Sequence, residues 1–185
     1  LRQGHRQGGA ATVYFPGQKI TMLPAAAIDA FTLATDGERP ALSLYAEVAA
    51  DNAILAIRSR SELVPIAANL RHGELEEVFN VEALAAGNIA HEFGHELKRL
   101  WHFALRLQAA RGKADAEGEI QRAEYNFYVD GERVSIVERK RGAPVDKVVS
   151  ELMIFANAEW GGQLAKAGYA GIYRAQSNGL ARMTT

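Results

Sequence analysis

Apolar residues recur at helical spacing in two long stretches of the chain. The first covers residues 89–111 and is followed by Gly112, a residue type that commonly ends helices. Its apolar arc consists of Phe93, Leu97, Leu100, Ala104 and Leu107. The second covers residues 144–166, with a proline in its first turn and Gly168 after its end. The sequence therefore predicts two long helices, and a shorter one over residues 74–86.

A two-residue alternation of apolar and polar side chains marks a strand in the first half of the chain. Residues 42–48 alternate in this way, and residues 53–59 follow across Asp51-Asn52, a suitable hairpin turn. Two shorter β-prone runs, residues 12–15 and 20–23, are each followed by a proline. The first half is thus expected to consist mainly of short strands, two of them joined as a hairpin.

A second hairpin is predicted between the two long helices. Residues 125–129 and 133–138 are β-prone and flank Asp130-Gly131, a strong hairpin-turn signal. The expected fold class is α+β, a mixed sheet with hairpins packed against the two long helices. Residues 1–11 are expected to form a flexible lead-in, and residues 12–185 a single domain.

The composition of the chain excludes several classes of protein. Its 185 residues are 48% hydrophobic, which is enough to bury a core. There is no cysteine, so disulfide partners and thiolate zinc sites are excluded and a cytoplasmic setting is expected. No apolar run approaches the roughly 20 residues of a membrane span. The net charge of −1 is unlike that of most nucleic-acid binders, so any such contact must use local patches or segments outside the chain.

The run His91-Glu92-Phe93-Gly94-His95 matches the H-E-x-x-H signature of zinc metallopeptidases. If the run is helical, His91 and His95 lie one turn apart and can share a zinc ion, while Glu92 activates a water molecule. This chemistry makes a zinc metallopeptidase the alternative function for the chain.

The predicted helical arcs argue against that zinc site. His91, His95, Lys98 and His102 fall opposite the apolar arc, where solvent is expected, whereas catalytic zinc normally lies in a walled cleft. A third ligand would have to come from a later glutamate such as Glu117, Glu119 or Glu124. A solvent-facing helix surface that carries histidines is the simpler interpretation.

Several longer runs, taken together, form a more extended pattern. Two N-terminal runs are Thr12-Val13-Tyr14-Phe15-Pro16-Gly17 and Ile20-Thr21-Met22-Leu23-Pro24. Next come Phe31-Thr32-Leu33 and Glu38-Arg39-Pro40-Ala41-Leu42-Ser43. Towards the C-terminus come Val149-Ser150-Glu151-Leu152-Met153-Ile154-Phe155-Ala156-Asn157 and Gly171-Ile172-Tyr173-Arg174.

In order and spacing these runs resemble the RNB family of exoribonucleases, which includes ribonuclease II and ribonuclease R. The corresponding family motifs read T-x-Y-x-P, I-P-M-L-P, R-x-A-L-S and V-E-E-x-M-x-x-A-N. The chain departs from them at Thr21, where the family has proline, and at Thr32, where it has serine. The resemblance covers nearly all of residues 12–185, which are therefore expected to form a partial RNB-like ribonuclease domain.

The resemblance implies a hydrolase that degrades single-stranded RNA from its 3′ end and releases nucleoside 5′-monophosphates. In this family Mg²⁺ is held by aspartates that precede the T-x-Y-x-P run, whereas Asp29 and Asp36 follow it. The metal ligands are therefore expected in flanking parts of the same enzyme, and this segment alone is expected to be inactive. A non-catalytic RNA-binding remnant is a further alternative.

The resemblance also assigns roles to single residues. It implies that Tyr14 lies beside the active centre, as a catalytic and RNA-binding residue that stacks on the terminal base; otherwise it is a strand tyrosine half in the core. It implies that Glu151 contacts ribose hydroxyls; otherwise that carboxylate forms a salt bridge with Lys147 or another cation. Asn157 matches the family as well, although a buried asparagine that bonds the backbone is expected more often.

The predicted second hairpin carries further candidates for RNA contact. Arg139-Lys140-Arg141 are expected to meet phosphates, unless they form only a solvated loop. Tyr125, Phe127 and Tyr128 could stack on bases, but alternation places them on both faces of the hairpin. At least one of those faces is expected to be core.

Overall fold

The computed structural model describes residues 11–15, 18–35, 37–112, 123–131, 133–140 and 142–171. The strands are β1 (Val13–Phe15), β2 (Gln18–Ile20), β3 (Glu38–Val48), β4 (Ile54–Pro65), β5 (Ala123–Asp130) and β6 (Arg133–Lys140). The helices are α1 (Ala25–Phe31), α2 (His72–Val78), α3 (Val81–Ala86), α4 (Gly94–Ala110) and α5 (Pro144–Lys166). The described architecture is therefore mixed α and β. None of these helices is long and apolar enough to cross a membrane.

The described strands form three separate two-stranded antiparallel sheets instead of the expected single mixed sheet. Each pairs neighbours in the sequence, so each is a local hairpin: β1 with β2, β3 with β4, and β5 with β6. The predicted run 12–15 matches β1, but the second extended piece lies earlier than residues 20–23. Residues 1–10 of the predicted lead-in lie outside the described part.

Both predicted hairpins are confirmed, although Asp130 pairs with Arg133 at the end of β5 instead of lying in the second turn. At the first, Asn52 adopts a positive φ of 62°, and the Asp51 carboxylate accepts a hydrogen bond from the Ala53 amide at 3.1 Å. At the second, Gly131 has a φ of 59°, a conformation that glycine adopts without strain. The two strands that flank the first turn are longer than predicted, because their pairing continues to Glu38 opposite Pro65.

The predicted helix over residues 74–86 is wrong, because the chain breaks there into α2 and α3. Asn80 is extended, and its side-chain oxygen accepts a hydrogen bond from the Ala83 amide at 2.9 Å, which caps α3. The break turns Phe79 inward until it is fully buried. A local capping bond and a core contact together outweigh helical continuity.

The predicted helix over residues 89–111 begins five residues late, at Gly94, and ends as expected before Gly112. A tight turn precedes it, in which the Ile89 carbonyl accepts a hydrogen bond from the His91 amide at 2.8 Å. A Cβ atom on Gly94 would lie 2.4 Å from the Ile89 carbonyl oxygen, so this turn requires glycine. By contrast, α5 has the predicted bounds.

The core lies among the helices. Its buried residues are Leu75, Phe79, Ile89, Leu97, Ala104, Val145 and Val148. Phe79 makes an edge-to-face contact with Trp101, with ring centroids 6.4 Å apart. Because α2, α4 and α5 all contribute, this cluster fixes their relative positions.

A side-chain hydrogen bond joins the long hairpin of β3 and β4 to α5. The Trp160 indole on α5 donates a hydrogen bond to the Ser59 hydroxyl on β4 at 3.0 Å. A groove of about 450 Å³ remains between hairpin and helices, lined in part by Leu44, Phe103 and Phe155. Leu100, a member of the predicted apolar arc, also lines this groove and is 37% exposed.

Candidate functional site

Tyr14 lies in β1 opposite Lys19 and is 78% exposed. Its neighbours Val13 and Phe15 are also exposed, at 46% each. The alternative of a tyrosine half in the core is therefore wrong. Within the described residues, the ring is free to stack on a planar ligand.

Glu151 is buried on α5, with 6% of its surface exposed. Its Oε1 accepts a charge-assisted hydrogen bond from the Arg111 guanidinium at the end of α4. The structure thus pairs Glu151 with a cation, although not with Lys147, whose ammonium lies 5.6 Å from the centre of the Trp101 ring. Oε2 of Glu151 is also buried, and no described residue bonds to it. Asn157, expected to be buried, is exposed.

The basic run after the second hairpin is described only in part. The backbones of Arg139 and Lys140 pair with Glu124 and Ala123 in the sheet of β5 and β6, while Arg141 lies outside the described residues. Their predicted phosphate contacts stay a prediction.

The aromatic residues of this hairpin differ from expectation. Tyr125, Phe127 and Tyr128 are all more than half exposed, so neither face of the hairpin is core in the described structure. Across the strands, Phe127 lies opposite Ile136 and Tyr128 opposite Ser135. Both faces therefore present aromatic surface to solvent.

A polar cluster that the sequence did not single out covers the other face of the long hairpin. The Tyr45 hydroxyl on β3 donates a hydrogen bond to the Glu62 carboxylate on β4, and Arg58 lies over the Tyr45 ring at 5.0 Å. The hydrogen bonds from Tyr45 and Ser43 hold the pKa of Glu62 below its usual value. The bond to Glu62 correspondingly raises the pKa of Tyr45. The antiparallel register, which no single strand reveals, brings these groups together.

The H-E-x-x-H run does not form the predicted helical zinc geometry. His91 and Glu92 precede α4 and only His95 lies on it, so the two histidines are not one helical turn apart. The His91 Nδ1 instead accepts a hydrogen bond from the Phe93 amide at 3.0 Å, which occupies a nitrogen that would bind metal. Glu117 and Glu119 lie outside the described residues.

The structure gathers metal-binding side chains elsewhere. Within the described residues, His72, Glu76 and Asp146 form a group of three whose donor atoms all lie within 4.8 Å of one another. The spacing of His72 and Glu76, four residues apart on one helix, is visible in the sequence. The approach of Asp146 is not, because it depends on how α2 packs against α5.

The sequence-predicted residues occupy separate places. No hydrogen bond, ion pair or ring contact among the described residues joins Tyr14 on the first hairpin to Glu151 on the last helix. One is open to solvent and the other is enclosed and paired. The described residues therefore do not join Tyr14 and Glu151 in one contact network.

Comparison with protein-family models identifies the family of the chain. The family model of the RNB domain matches residues 5–182, which is nearly the whole chain. A comparison with curated proteins gave no match. The matched region includes all the runs that carry the resemblance, from Thr12 to Arg174. The chain therefore belongs to the RNB family of ribonucleases.

Proposed function

We propose that this chain is part of a 3′-to-5′ exoribonuclease that hydrolyses single-stranded RNA to nucleoside 5′-monophosphates. The observation that carries the proposal is the match to the RNB domain over residues 5–182. In the reaction, water attacks the phosphorus of the last phosphodiester and the bond to the 3′ oxygen breaks. The shortened RNA keeps a 3′ hydroxyl, and the terminal nucleotide leaves with its 5′ phosphate.

The exposure of Tyr14 supports a role in holding the terminal nucleotide. A phenol ring that is 78% exposed on a short hairpin can stack on any base, because every base presents a π-face. Stacking of this kind is indifferent to sequence, as a general RNA-degrading enzyme requires. Tyr14 thus orients the 3′ end for attack.

The pairing of Glu151 gives its proposed role a specific form. Arg111 occupies Oε1, so a ribose hydroxyl would have to reach Oε2, which is buried and to which no described residue bonds. In this arrangement Arg111 orients the carboxylate, while the second oxygen accepts the sugar hydrogen bond. Arg111 is therefore a positioning residue for Glu151.

The Mg²⁺ ligands of the proposed enzyme lie in flanking parts of the same protein. Mg²⁺ favours several oxygen ligands at once, whereas the group of three metal-binding side chains among the described residues includes the imidazole of His72. When bound, Mg²⁺ would neutralise charge on the phosphate under attack and on the departing oxygen. The isolated chain is accordingly expected to be inactive.

The test uses the full-length protein, Mg²⁺ and a single-stranded RNA labelled at its 5′ end. We expect a ladder that shortens from the 3′ end, together with nucleoside 5′-monophosphates on thin-layer chromatography. Tyr14→Ala is expected to lower kcat/KM about 10- to 100-fold, because a base–aromatic stack contributes about 1–3 kcal/mol. Tyr14→Phe keeps the ring and should retain activity, and Tyr169→Ala, at a 68% exposed tyrosine, is the matched control.

Two outcomes would contradict the proposal. Cleavage at internal positions would make the protein an endonuclease. RNA that is retained but left intact under Mg²⁺ would make it a binding remnant. Unchanged kinetics in Tyr14→Ala would refute the stacking role while leaving the exonuclease reaction in place.

A further inference from the structure

Three side chains with metal-binding groups converge where α2 meets α5. His72 and Glu76 lie one turn apart on α2, and Asp146 lies in the first turn of α5. The His72 Nδ1 is 3.9 Å from Oδ1 of Asp146, and the donor atoms of all three residues lie within 4.8 Å of one another. We propose that His72, Glu76 and Asp146 form a binding site for a zinc-like divalent transition-metal ion that joins α2 to α5.

The mixture of donors indicates the class of ion. One imidazole nitrogen with two carboxylate oxygens suits Zn²⁺ and its first-row neighbours, whereas Mg²⁺ and Ca²⁺ favour oxygen alone. Bonds of about 2.1 Å to a tetrahedral ion place ligand atoms about 3.4 Å apart. The donors therefore need to approach by roughly 1 Å, a change that side-chain torsions can supply.

The surroundings hold the three donors in place while leaving a route for the ion. Leu75 on α2, and Val145 and Val148 on α5, are buried in the core, so the two helices are fixed where the donors meet. The side chains of His72 and Asp146 are 41% and 23% exposed, which gives the ion access from solvent. Water can complete the coordination shell on that side, as in zinc sites with three protein ligands.

This site is separate from the two metal sites considered above, the H-E-x-x-H zinc site and the Mg²⁺ site of the proposed ribonuclease. It shares no residue with the H-E-x-x-H run, and it does not depend on the Mg²⁺ ligands of the proposed ribonuclease. The expected consequence is greater stability. An ion that binds to both helices in the folded chain, and not to the unfolded chain, raises the free energy of unfolding by mass action. A failure of the zinc test would leave the RNA assay unaffected, and the converse also holds.

The test is isothermal titration calorimetry of the metal-stripped 185-residue chain with ZnCl₂, and separately with MgCl₂. We expect one equivalent of Zn²⁺ to bind, with much weaker heat from Mg²⁺, and a rise in Tm on zinc addition. His72→Ala and Asp146→Asn are each expected to weaken zinc affinity at least tenfold. His95→Ala and His102→Ala remove exposed histidines from α4 and serve as matched controls with unchanged affinity.

A second readout separates a metal site from a simple His–Asp contact. Zinc should shift the ¹⁵N resonance of the His72 ring nitrogen, and the shift should disappear in Glu76→Gln, a substitution that keeps the helix intact. Absence of zinc binding, or binding that survives both His72→Ala and Asp146→Asn, would overturn the proposal. Zinc that is lost in His91→Ala but kept in His72→Ala would place the ion on the H-E-x-x-H run and also refute it.

Discussion

The helical region and the hairpin of β5 and β6 differ in the burial of their apolar side chains. Every buried side chain that the structure describes lies between residues 75 and 104 or between 144 and 151. The large apolar side chains of the hairpin are all at least 41% exposed. Both regions are rich in apolar residues, so composition does not distinguish them. This difference shows that apolar side chains become buried where an element distant in sequence packs against them. The helices have such a neighbouring element, and the hairpin has none among the described residues.

The largest expected effect, and the strongest test of this difference in burial, comes from removing one aromatic ring from each region. Phe79→Ala should lower the free energy of unfolding by about 3–5 kcal/mol, because it leaves a cavity at a fully buried position. Phe127→Ala, at a ring that is 54% exposed, should cost less than about 1 kcal/mol. Urea unfolding followed by circular dichroism measures both. Equal losses would show that the hairpin is buried to the same extent as the helices.

The buried ion pair tests whether the helical region depends on charge as well as on apolar contact. Arg111→Ala should cost about 3 kcal/mol, because it leaves the Glu151 carboxylate buried without a partner. The double substitution Arg111→Met with Glu151→Leu should recover most of that loss, since no charge then stays buried. Glu77→Ala removes an exposed carboxylate and should be nearly neutral. The same urea measurement applies, and failure of the double variant to recover would mean that the pair contributes through shape.

The smallest effect is expected on the exposed face of the long hairpin. Tyr45→Phe removes the hydrogen bond that chiefly lowers the pKa of Glu62, so that pKa should rise towards its ordinary value. A depressed folded-state pKa stabilises the protein above the unfolded value, and this contribution is lost as pH falls through the folded one. The difference between wild type and Tyr45→Phe should therefore be present near neutral pH and vanish in acid. A ¹³C NMR titration of the Glu62 carboxyl measures the shift directly, and an unchanged Glu62 curve would contradict it.

Local signals in the sequence predicted much of the fold. The bounds of α5, the end of α4 at Gly112 and both hairpin turns follow from glycine, proline and asparagine at positions that favour those conformations. The break between α2 and α3 was missed because the cap at Asn80 and the burial of Phe79 act together. The late start of α4 could not be predicted, because it depends on a specific turn before the helix. In that turn a Cβ atom at position 94 would clash with the Ile89 carbonyl oxygen, so only glycine fits.

The candidate site was less predictable than the fold. The importance of Tyr14 came from family resemblance, and its exposure could not be derived from a three-residue strand. Glu151 was expected to need a cation, but Arg111 is 40 residues away and only the packing of α4 on α5 identifies it. The convergence of Asp146 with His72 has the same origin. Pairings of this kind are fixed by tertiary structure, which one sequence does not encode in any local pattern.

The position of α5 has a consequence for synthesis of the protein on the ribosome. The three hairpins contain only local pairings, so each can close soon after its own residues emerge. The Ser59–Trp160 hydrogen bond spans 101 residues, and Val145 and Val148 complete the core begun by Leu75 and Phe79. Until α5 has been translated, those apolar residues have no complete core to enter. The nascent chain therefore exposes the apolar surface of an incomplete core for most of its elongation. A chaperone or rapid downstream translation would protect this surface from aggregation at that stage.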